Sequence, residues 1–415
     1  MRVFKFGGAS VKDALGVQNT LRVLKHEGVQ NTLVVVSAMG KMTNAFEKLV
    51  ATYTIPEKEI DAAYAFILDY HLKIVSELFE KEAAVFSEIE GLFDQLKSFL
   101  ETNNSTDYNF IYDQVVCYGE LLATKIISAF LAKNGIENQW IDIRTIIKTD
   151  QDYRNANVNW EATKQNCSSK IDTSQLCITQ GFISADETNN TTTTLGREGS
   201  DFTAGILAYC LDAESVTIWK DVVGVLNADP RQFIDPILLE EISYQEAIEM
   251  AFYGASVIHP KTLKPLENKK IPLWVRSFEL LETRGTKVSK GVSILPKTPC
   301  YIVKTNQTLV SISANDFSFM VEENISDLFN YFHKYSLKVN LIQNSALSFS
   351  VCLEDTFDNF TAFHKELQPK FKIKYNHNVS LYTIRHFDQK SLESIEQKGT
   401  VLLKQISRET AQLVI

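Results

Sequence analysis

Residues 2–10, RVFKFGGAS, set a lysine inside an alternating apolar run and end that run on two glycines, an alanine and a serine. Alternation that meets glycine reads as a strand entering a turn. The next segment, 11–27, carries Val11, Leu15, Leu21 and Leu24 and stops at Gly28, the pattern of a helix with a glycine end. Residues 32–40, TLVVVSAMG, begin with the β-branched run of a strand covered on both faces. Strand, helix and strand in so short a space open an α/β fold with a parallel sheet.

Working outward, residues from about 56 to 103 hold two amphipathic helical patterns and a third runs over roughly 112–133, together a helical lobe at about 56–133. Strand patterns return in QLCITQGFIS (175–184) and ESVTIWKDV (214–222). YQEAIEMAFYGASVIHP (244–260) reads as a helix ended by its proline, and IPLWVRSF (271–278) closes the block. Past residue 290 two short β, α, β, β series follow, the mark of paired small α+β modules. The chain is therefore divided into a block over 1–290 and a tandem region over 291–415. The first module spans about 307–379, and the second joins 299–306 to 380–415.

A chain of 415 residues suits two or three domains, and 45% apolar with 22% charged residues is a globular composition. The net charge of −9, from 51 acidic and 42 basic side chains without long runs, excludes a general nucleic-acid binder. The six cysteines show neither a CxxC pair nor zinc spacing, as expected of thiols in a reducing compartment. Lys5 and Gly7-Gly8 interrupt the first apolar run too early for a signal peptide, and no stretch approaches the ~18 uncharged apolar residues of a membrane span. The expectation is a cytoplasmic protein with no membrane and no nucleic-acid partner.

Two stretches carry chemistry. In KFGGAS the glycines leave backbone N–H groups open to an anion, a helix start lies beyond, and Lys5 supplies a point charge suited to a transferring phosphoryl group. The stretch is not a P-loop. In TTTTLGREGSDFTAG (191–205), Ser200 or Asp201 suits a helix cap, while the planar fork of Arg197 suits a carboxylate or phosphate. An arginine and a carboxylate at one helix start fit recognition of a small zwitterion.

KFGGAS (5–10), VVVSAMGKMTN (34–44), CYGELLATK (117–125), QGFIS (180–184), TTTTLGREGSD (191–201), IWKDVVGVLNADPR (218–231), GASVIHPKTL (254–263) and VRSF (275–278) follow one another in the order and spacing of aspartate kinases. The chain thus resembles that family of the amino-acid kinase superfamily, and its last ~120 residues resemble the ACT domains that follow the kinase domain there. With no homoserine dehydrogenase segment following, it looks like the monofunctional form. The resemblance implies a three-layer sandwich with a mostly parallel central sheet plus ferredoxin-like ACT modules. It also implies transfer of the γ-phosphoryl of ATP, carried with Mg2+, to the β-carboxylate of L-aspartate. That is the entry step to lysine, threonine and methionine synthesis.

Residue by residue, Lys5 matches the family's phosphate-stabilising lysine, Gly7 and Gly8 its backbone donors, and Asp201 the acid that organises the site. Ser37, Thr43, Glu120 and Arg197 match positions that hold aspartate, Glu120 receiving the ammonium group and Arg197 a carboxylate. Lys220, Asp221, Arg231 and Ser256 fall in the nucleotide-binding stretches. A carboxylate nucleophile is ionised at neutral pH, so no general base is required, and no protein-bound metal is implied.

Two positions depart from the family. Ser256 stands where a lysine is frequent, and Leu226 where an aromatic residue is frequent, which weakens ATP binding or shifts work to Lys220 and Lys261. A catalytically impaired amino-acid-binding regulator is the alternative these departures motivate. In the ACT region, Asn340 and Ala346 replace the acidic residues of lysine-sensing relatives, and a buried ammonium without a carboxylate is costly. The expectation is weak or absent lysine inhibition, with Asn340, Gln343, Asn344 and Ser345 suited to a neutral effector. ACT edges and apolar faces also imply at least a homodimer.

Overall fold

The computed structural model describes residues 1–55, 59–255, 258–316 and 318–415. They form two compact units, one of Met1–Val225, Leu238–Ile248 and Val257–Pro296, the other of Leu226–Ile237, Glu249–Ser256 and Lys297–Ile415.

The first unit is built on an eight-stranded sheet in the order Gln139–Ile141, Cys177–Gln180, Thr32–Val36, Arg2–Phe6, Ser215–Lys220, Leu273–Ser277, Thr286–Ser289, Glu241–Ser243. Every pairing is parallel except that of Leu273–Ser277 with Thr286–Ser289. Arg2–Phe6 is central, with Lys5 opposite Val35 on one side and Ile218 on the other. Strand alternation sends Phe4, Phe6, Val34 and Val36 into the core shared with the helical lobe, where Trp219 stacks on Phe6 with ring centroids 6.3 Å apart. Lys5 therefore faces the other way, toward the layer that contains the helix Gly199–Cys210. Helices on both faces complete the three-layer sandwich.

Three boundaries differ from the sequence reading. The helix after the Gly-Gly turn starts at Ala14, not Val11, because the Asp13 carboxylate caps it by accepting the Gly16 N–H at 2.8 Å. A short 3₁₀ turn, Gly8–Val11, precedes it, and Leu15 is left 64% exposed while Val17, Val23 and Leu24 face the core. In the lobe, Asp107 caps a helix at Tyr108–Val116, four residues earlier than expected, and Tyr118–Lys133 continues it. Within Tyr108–Lys133 one stretch is long and apolar enough for a membrane span, yet 72% of it is buried inside the protein. That is the behaviour of a core helix. Finally, the helix Tyr244–Tyr253 ends at Gly254, with φ +121°, and Pro260 opens the next helix, Pro260–Lys269, capped by His259. Proline fits the first helical turn because its missing N–H would be unpaired there anyway.

The second unit carries a six-stranded antiparallel sheet in the order Lys338–Asn344, Phe349–Glu354, Cys300–Ala314, Phe371–Arg385, Thr410–Val414, Leu403–Ile406. Its two long central strands serve both modules: Gln307–Ala314 pairs with Phe371–Val379, and Cys300–Lys304 with Leu381–Arg385, with register shifts between. The helices Glu322–Lys334 and Phe360–Leu367 cover the first half through Leu328, Phe332 and Phe363. Gln389–Glu396 covers the second through Leu392 and Ile395. The segment 226–237 belongs here too, with Phe233 stacked on Tyr301.

Candidate active site

A cleft of about 580 Å³ opens at the carboxyl ends of Arg2–Phe6, Thr32–Val36 and Ser215–Lys220, where open α/β sheets place their ligands. Lys5, Gly7, Gly8, Ser37, Thr43, Glu120, Arg197, Asp201, Lys220 and Asp221 all line it. Local structure explains each position. The turn after the first strand packs backbone to backbone on the turn after the second, with the Gly40 N–H donating to the Gly8 carbonyl at 2.9 Å. Gly119 lets the helix Tyr118–Lys133 approach that second turn, since a Cβ there would lie 2.9 Å from the Ala38 Cβ. The approach lets Glu120 accept the Ala38 N–H at 3.2 Å.

Two buried charge centres result. Lys5 Nζ lies 2.7 Å from Asp201 Oδ1, and Lys220 Nζ lies 3.9 Å from Oδ2. Burial acts to raise the Asp201 pKa, but the charges of Lys5 and Lys220 outweigh it and hold the carboxyl below its usual range. Glu120 is only 2% exposed and forms no ion pair among the described residues. Burial pushes its pKa up to about 8 against the opposing effects of the Ala38 N–H and the more distant Lys5. Its Oε2 is buried without a hydrogen-bond partner among the described residues, an acceptor turned into a polar cleft. Ser37 Oγ donates to Ser200 Oγ at 2.8 Å, tying the second strand's turn to the Gly199–Cys210 helix.

Neither Ser200 nor Asp201 is the helix cap the sequence suggested. Glu198, left-handed at φ +53°, occupies the cap position without a side-chain bond, and Asp201 in the first turn turns to Lys5 instead. Arg197 is exposed and makes no hydrogen bond or ion pair among the described residues. Arg231 is not brought to the cleft: it lies in the second unit, with its guanidinium on Asp229 at 2.7 Å. Ser256 lies outside the described residues, and Leu226 belongs to the second unit. Lys261 donates to Asn155 Oδ1 at 2.7 Å and lines a separate cavity beside Trp160, Phe202 and Tyr209, so it does not supply the cleft with a charge.

The effector set also sits in the second unit. The Asn340 carboxamide accepts from Lys304 Nζ at 2.8 Å and donates to Gln307 Oε1 at 2.7 Å and Glu354 Oε2 at 3.3 Å. Gln343 and Asn344 are exposed on the edge strand, and Ser345 is engaged with Ser348 in the following turn.

Sequence reasoning missed Tyr112, Arg154, Phe182, Thr194 and Glu198, which line the same cleft. Four of them reach it from the helix Tyr108–Val116, the 150–157 loop and a small three-stranded sheet, Lys148–Thr149, Ile183–Asp186 and Thr192–Thr194, with the turn that follows it. The fully buried Asp113 links these segments, accepting the Arg154 N–H and the Thr194 N–H at 2.9 Å and the Thr194 hydroxyl at 2.8 Å. Burial raises its pKa to about 6, against those hydrogen bonds.

A strand-end cleft with a glycine turn, a lysine–aspartate–lysine centre and a buried, half-satisfied glutamate agrees with the family model that matches residues 1–277, the amino acid kinase family. The chain belongs to the amino acid kinase family. Within it, the chain is 30% identical to the lysine-sensitive aspartokinase 3 of Escherichia coli over 85% of its own length and 78% of that enzyme. It is 28% identical to a chloroplastic bifunctional aspartokinase/homoserine dehydrogenase 2 of Arabidopsis thaliana, over 89% of this chain but 42% of that protein. The chain thus spans under half the length of this bifunctional plant relative. Among solved structures, E. coli aspartokinase III in complex with lysine and aspartate superposes with a TM-score of 0.85 at 26% identity, covering 100% of this chain and 96% of that one. The same enzyme with aspartate and ADP gives 0.79 at 25% identity and equal coverage.

Proposed function

We propose that the protein is an aspartate kinase, transferring the γ-phosphoryl of MgATP to the β-carboxylate of L-aspartate to give 4-phospho-L-aspartate. The observation that carries this reading is the unpartnered Glu120 Oε2 in the same cleft as the Lys5–Asp201–Lys220 centre. One end suits an ammonium group and the other a transferring phosphoryl group. Glu120 would receive the substrate ammonium, Ser37 and Thr43 its polar edge, and Arg197 a carboxylate. The acceptor carboxylate is ionised at neutral pH, so catalysis reduces to alignment and charge neutralisation. Lys5, fixed by Asp201, and the backbone N–H groups of Gly7 and Gly8 are placed to meet charge that grows on the phosphoryl oxygens. Lys220 and Asp221 border the nucleotide side, and the magnesium ion travels on the nucleotide's own phosphates. The convergence of ten expected side chains and glycines on one cleft favours an active enzyme over a purely regulatory binder.

The same reading extends to the second unit, as an ACT-type effector region spanning about 291–415, and to a homodimer or larger homo-oligomer. The sheet ends in two edge strands that expose Ile342 and Ile406, a surface suited to pairing with another copy. Asn340 is already engaged by the chain's own Lys304 ammonium, which supports insensitivity to lysine. Gln343 and Asn344 are exposed amides suited to a neutral amino acid.

The test is to incubate the protein with MgATP, L-aspartate and hydroxylamine and score the hydroxamate that traps an acyl phosphate. Product with L-aspartate, but not with D-aspartate or L-glutamate, is expected. Its absence from folded protein would overturn the assignment.

A further inference from the structure

Arg154 is half-buried on the cleft wall in a backbone conformation that side chains seldom adopt, φ +69°. Non-glycine residues in that region are strained and persist where the surroundings hold them. Here the holder is identifiable. Asp113, fully buried, takes the Arg154 N–H at 2.9 Å and clasps Thr194, another cleft residue, with the remaining lone pairs. The loop also sits against the Arg197 turn: a Cβ at Gly196 would lie 3.2 Å from the Arg154 carbonyl oxygen. Two arginines are thus carried into one cleft by adjoining backbone.

The Arg154 side chain is oriented without exhausting its donors. Its guanidinium lies over the Tyr112 ring at 4.3 Å from the centroid, and its ion pair, with Glu47 at 3.5 Å, is long and half-exposed. Stacking uses the face of the guanidinium and leaves its edge N–H groups available for a planar anion. Glu47 stands one turn beyond Thr43 on the helix Met42–Tyr53, so this wall is the one assigned to the amino acid, away from Lys5 and Lys220.

Resting on the aspartate-kinase reading, we propose that Arg154 is a substrate-binding residue that receives the non-reacting α-carboxylate of L-aspartate, with Glu47 as its counter-ion in the empty cleft. The substrate carries two carboxylates, and only one goes to the phosphoryl centre. A guanidinium stacked on Tyr112 and fixed through Asp113 gives the other a preformed receptor beside Arg197.

The experiment compares wild type, Arg154→Met and Arg154→Lys with L-aspartate and with L-aspartic acid 1-amide, which keeps the ammonium and β-carboxylate but carries a neutral amide at the α position. Methionine preserves length and packing on Tyr112, and thermal melting checks that both variants fold. The expected result for Arg154→Met is an aspartate KM raised roughly 10- to 100-fold, with kcat, the ATP KM and the 1-amide KM within about twofold. Arg154→Lys, which keeps charge but loses the fork, should fall between. An unchanged aspartate KM, or equal losses for aspartate and the 1-amide, would overturn the assignment, the second outcome marking a purely structural role. Calorimetric titration with L-aspartate reads the same contrast without turnover. A wild type that binds aspartate but makes no product would therefore count against the kinase reading and leave Arg154 separately judged.

Discussion

On the aspartate-kinase reading, the raised pKa of Glu120 moves the pH dependence of aspartate capture from the ordinary carboxylate range up through neutrality. Its pKa in the empty cleft is about 8, so at pH 7 only roughly one molecule in ten carries the ionised form that an ammonium group requires. Deprotonating the remainder costs about 1.4 kcal/mol at that pH, a tenfold penalty on association. In the proposed role, the ammonium of bound aspartate supplies Glu120 with a charge partner and holds the carboxyl ionised. The expected profile is a kcat/KM for aspartate that rises about tenfold from pH 7 toward 9 while kcat stays flat. The assay is initial-rate kinetics at saturating MgATP across that range, repeated with Glu120→Gln. The variant should lose both the slope and most aspartate affinity. It should also melt higher than wild type in the empty state, by a margin that grows as pH rises from about 4.5 toward 8 and levels off above it, because an amide removes the cost of a buried carboxylate that ionises more readily in the unfolded chain. A flat wild-type kcat/KM between pH 6 and 8.5 would refute the reasoning, since it would mean that Glu120 is already ionised in the free enzyme.

Other outcomes follow from the same geometry. Lys5→Met should lower kcat about 10²- to 10³-fold with aspartate KM little changed, and thermal denaturation should show a loss of roughly 3–5 kcal/mol because Asp201 keeps only the longer contact to Lys220. His71 is fully buried, with its pKa lowered from 6.5 to about 4 by burial, so the unfolded chain takes up the proton first. Stability is therefore fully present above pH 6.5 and falls by up to about 3 kcal/mol as pH drops toward 4, a loss that denaturant titrations of His71→Gln should not show. Millimolar L-lysine should leave activity unchanged in the wild type. Asn340→Asp alone should not create sensitivity, because Lys304, 2.8 Å from the present amide, would take the new carboxylate for itself; inhibition of that single variant would contradict this.

What could be read from the chain, and what could not, separates by sequence distance. Lys5, Gly7 and Gly8 announce themselves because strand, turn and helix start are contiguous, and the same holds for Arg197 and Asp201. The β-branched run Thr32–Val36 is buried throughout, as its composition requires. Arg154 gave no signal, since its importance depends on Asp113 and Tyr112, some forty positions earlier and on another element. Asp113 itself sits in a helix whose apolar pattern hides it. Helix starts were misjudged where side-chain caps decide them, at Asp13 and Asp107, because periodicity marks a helix's buried face better than its first turn. Periodicity reads Pro260 as a stop, yet it is a start, with His259 capping it and Gly254 ending the helix before. Asn340 reads as a ligand-facing amide, but the side chain of Lys304, from a strand two places away in the sheet, is bonded to it.

The two fifteen-residue strands Cys300–Ala314 and Phe371–Arg385 have a mechanical consequence. At about 3.3 Å per residue they form a ribbon roughly 50 Å long, and both modules are mounted on it rather than joined by a tether. A torque applied at one end must either reach the other or be absorbed where the ladder skips register, between Lys304 and Leu309, where Asn306 and Asn378 adopt left-handed backbone. That short irregular stretch is the compliant joint of an otherwise stiff beam. Lys304 marks its edge and donates to Asn340 two strands away in the sheet, on Lys338–Asn344, so the internal lysine ties the joint to the outer edge of the first module.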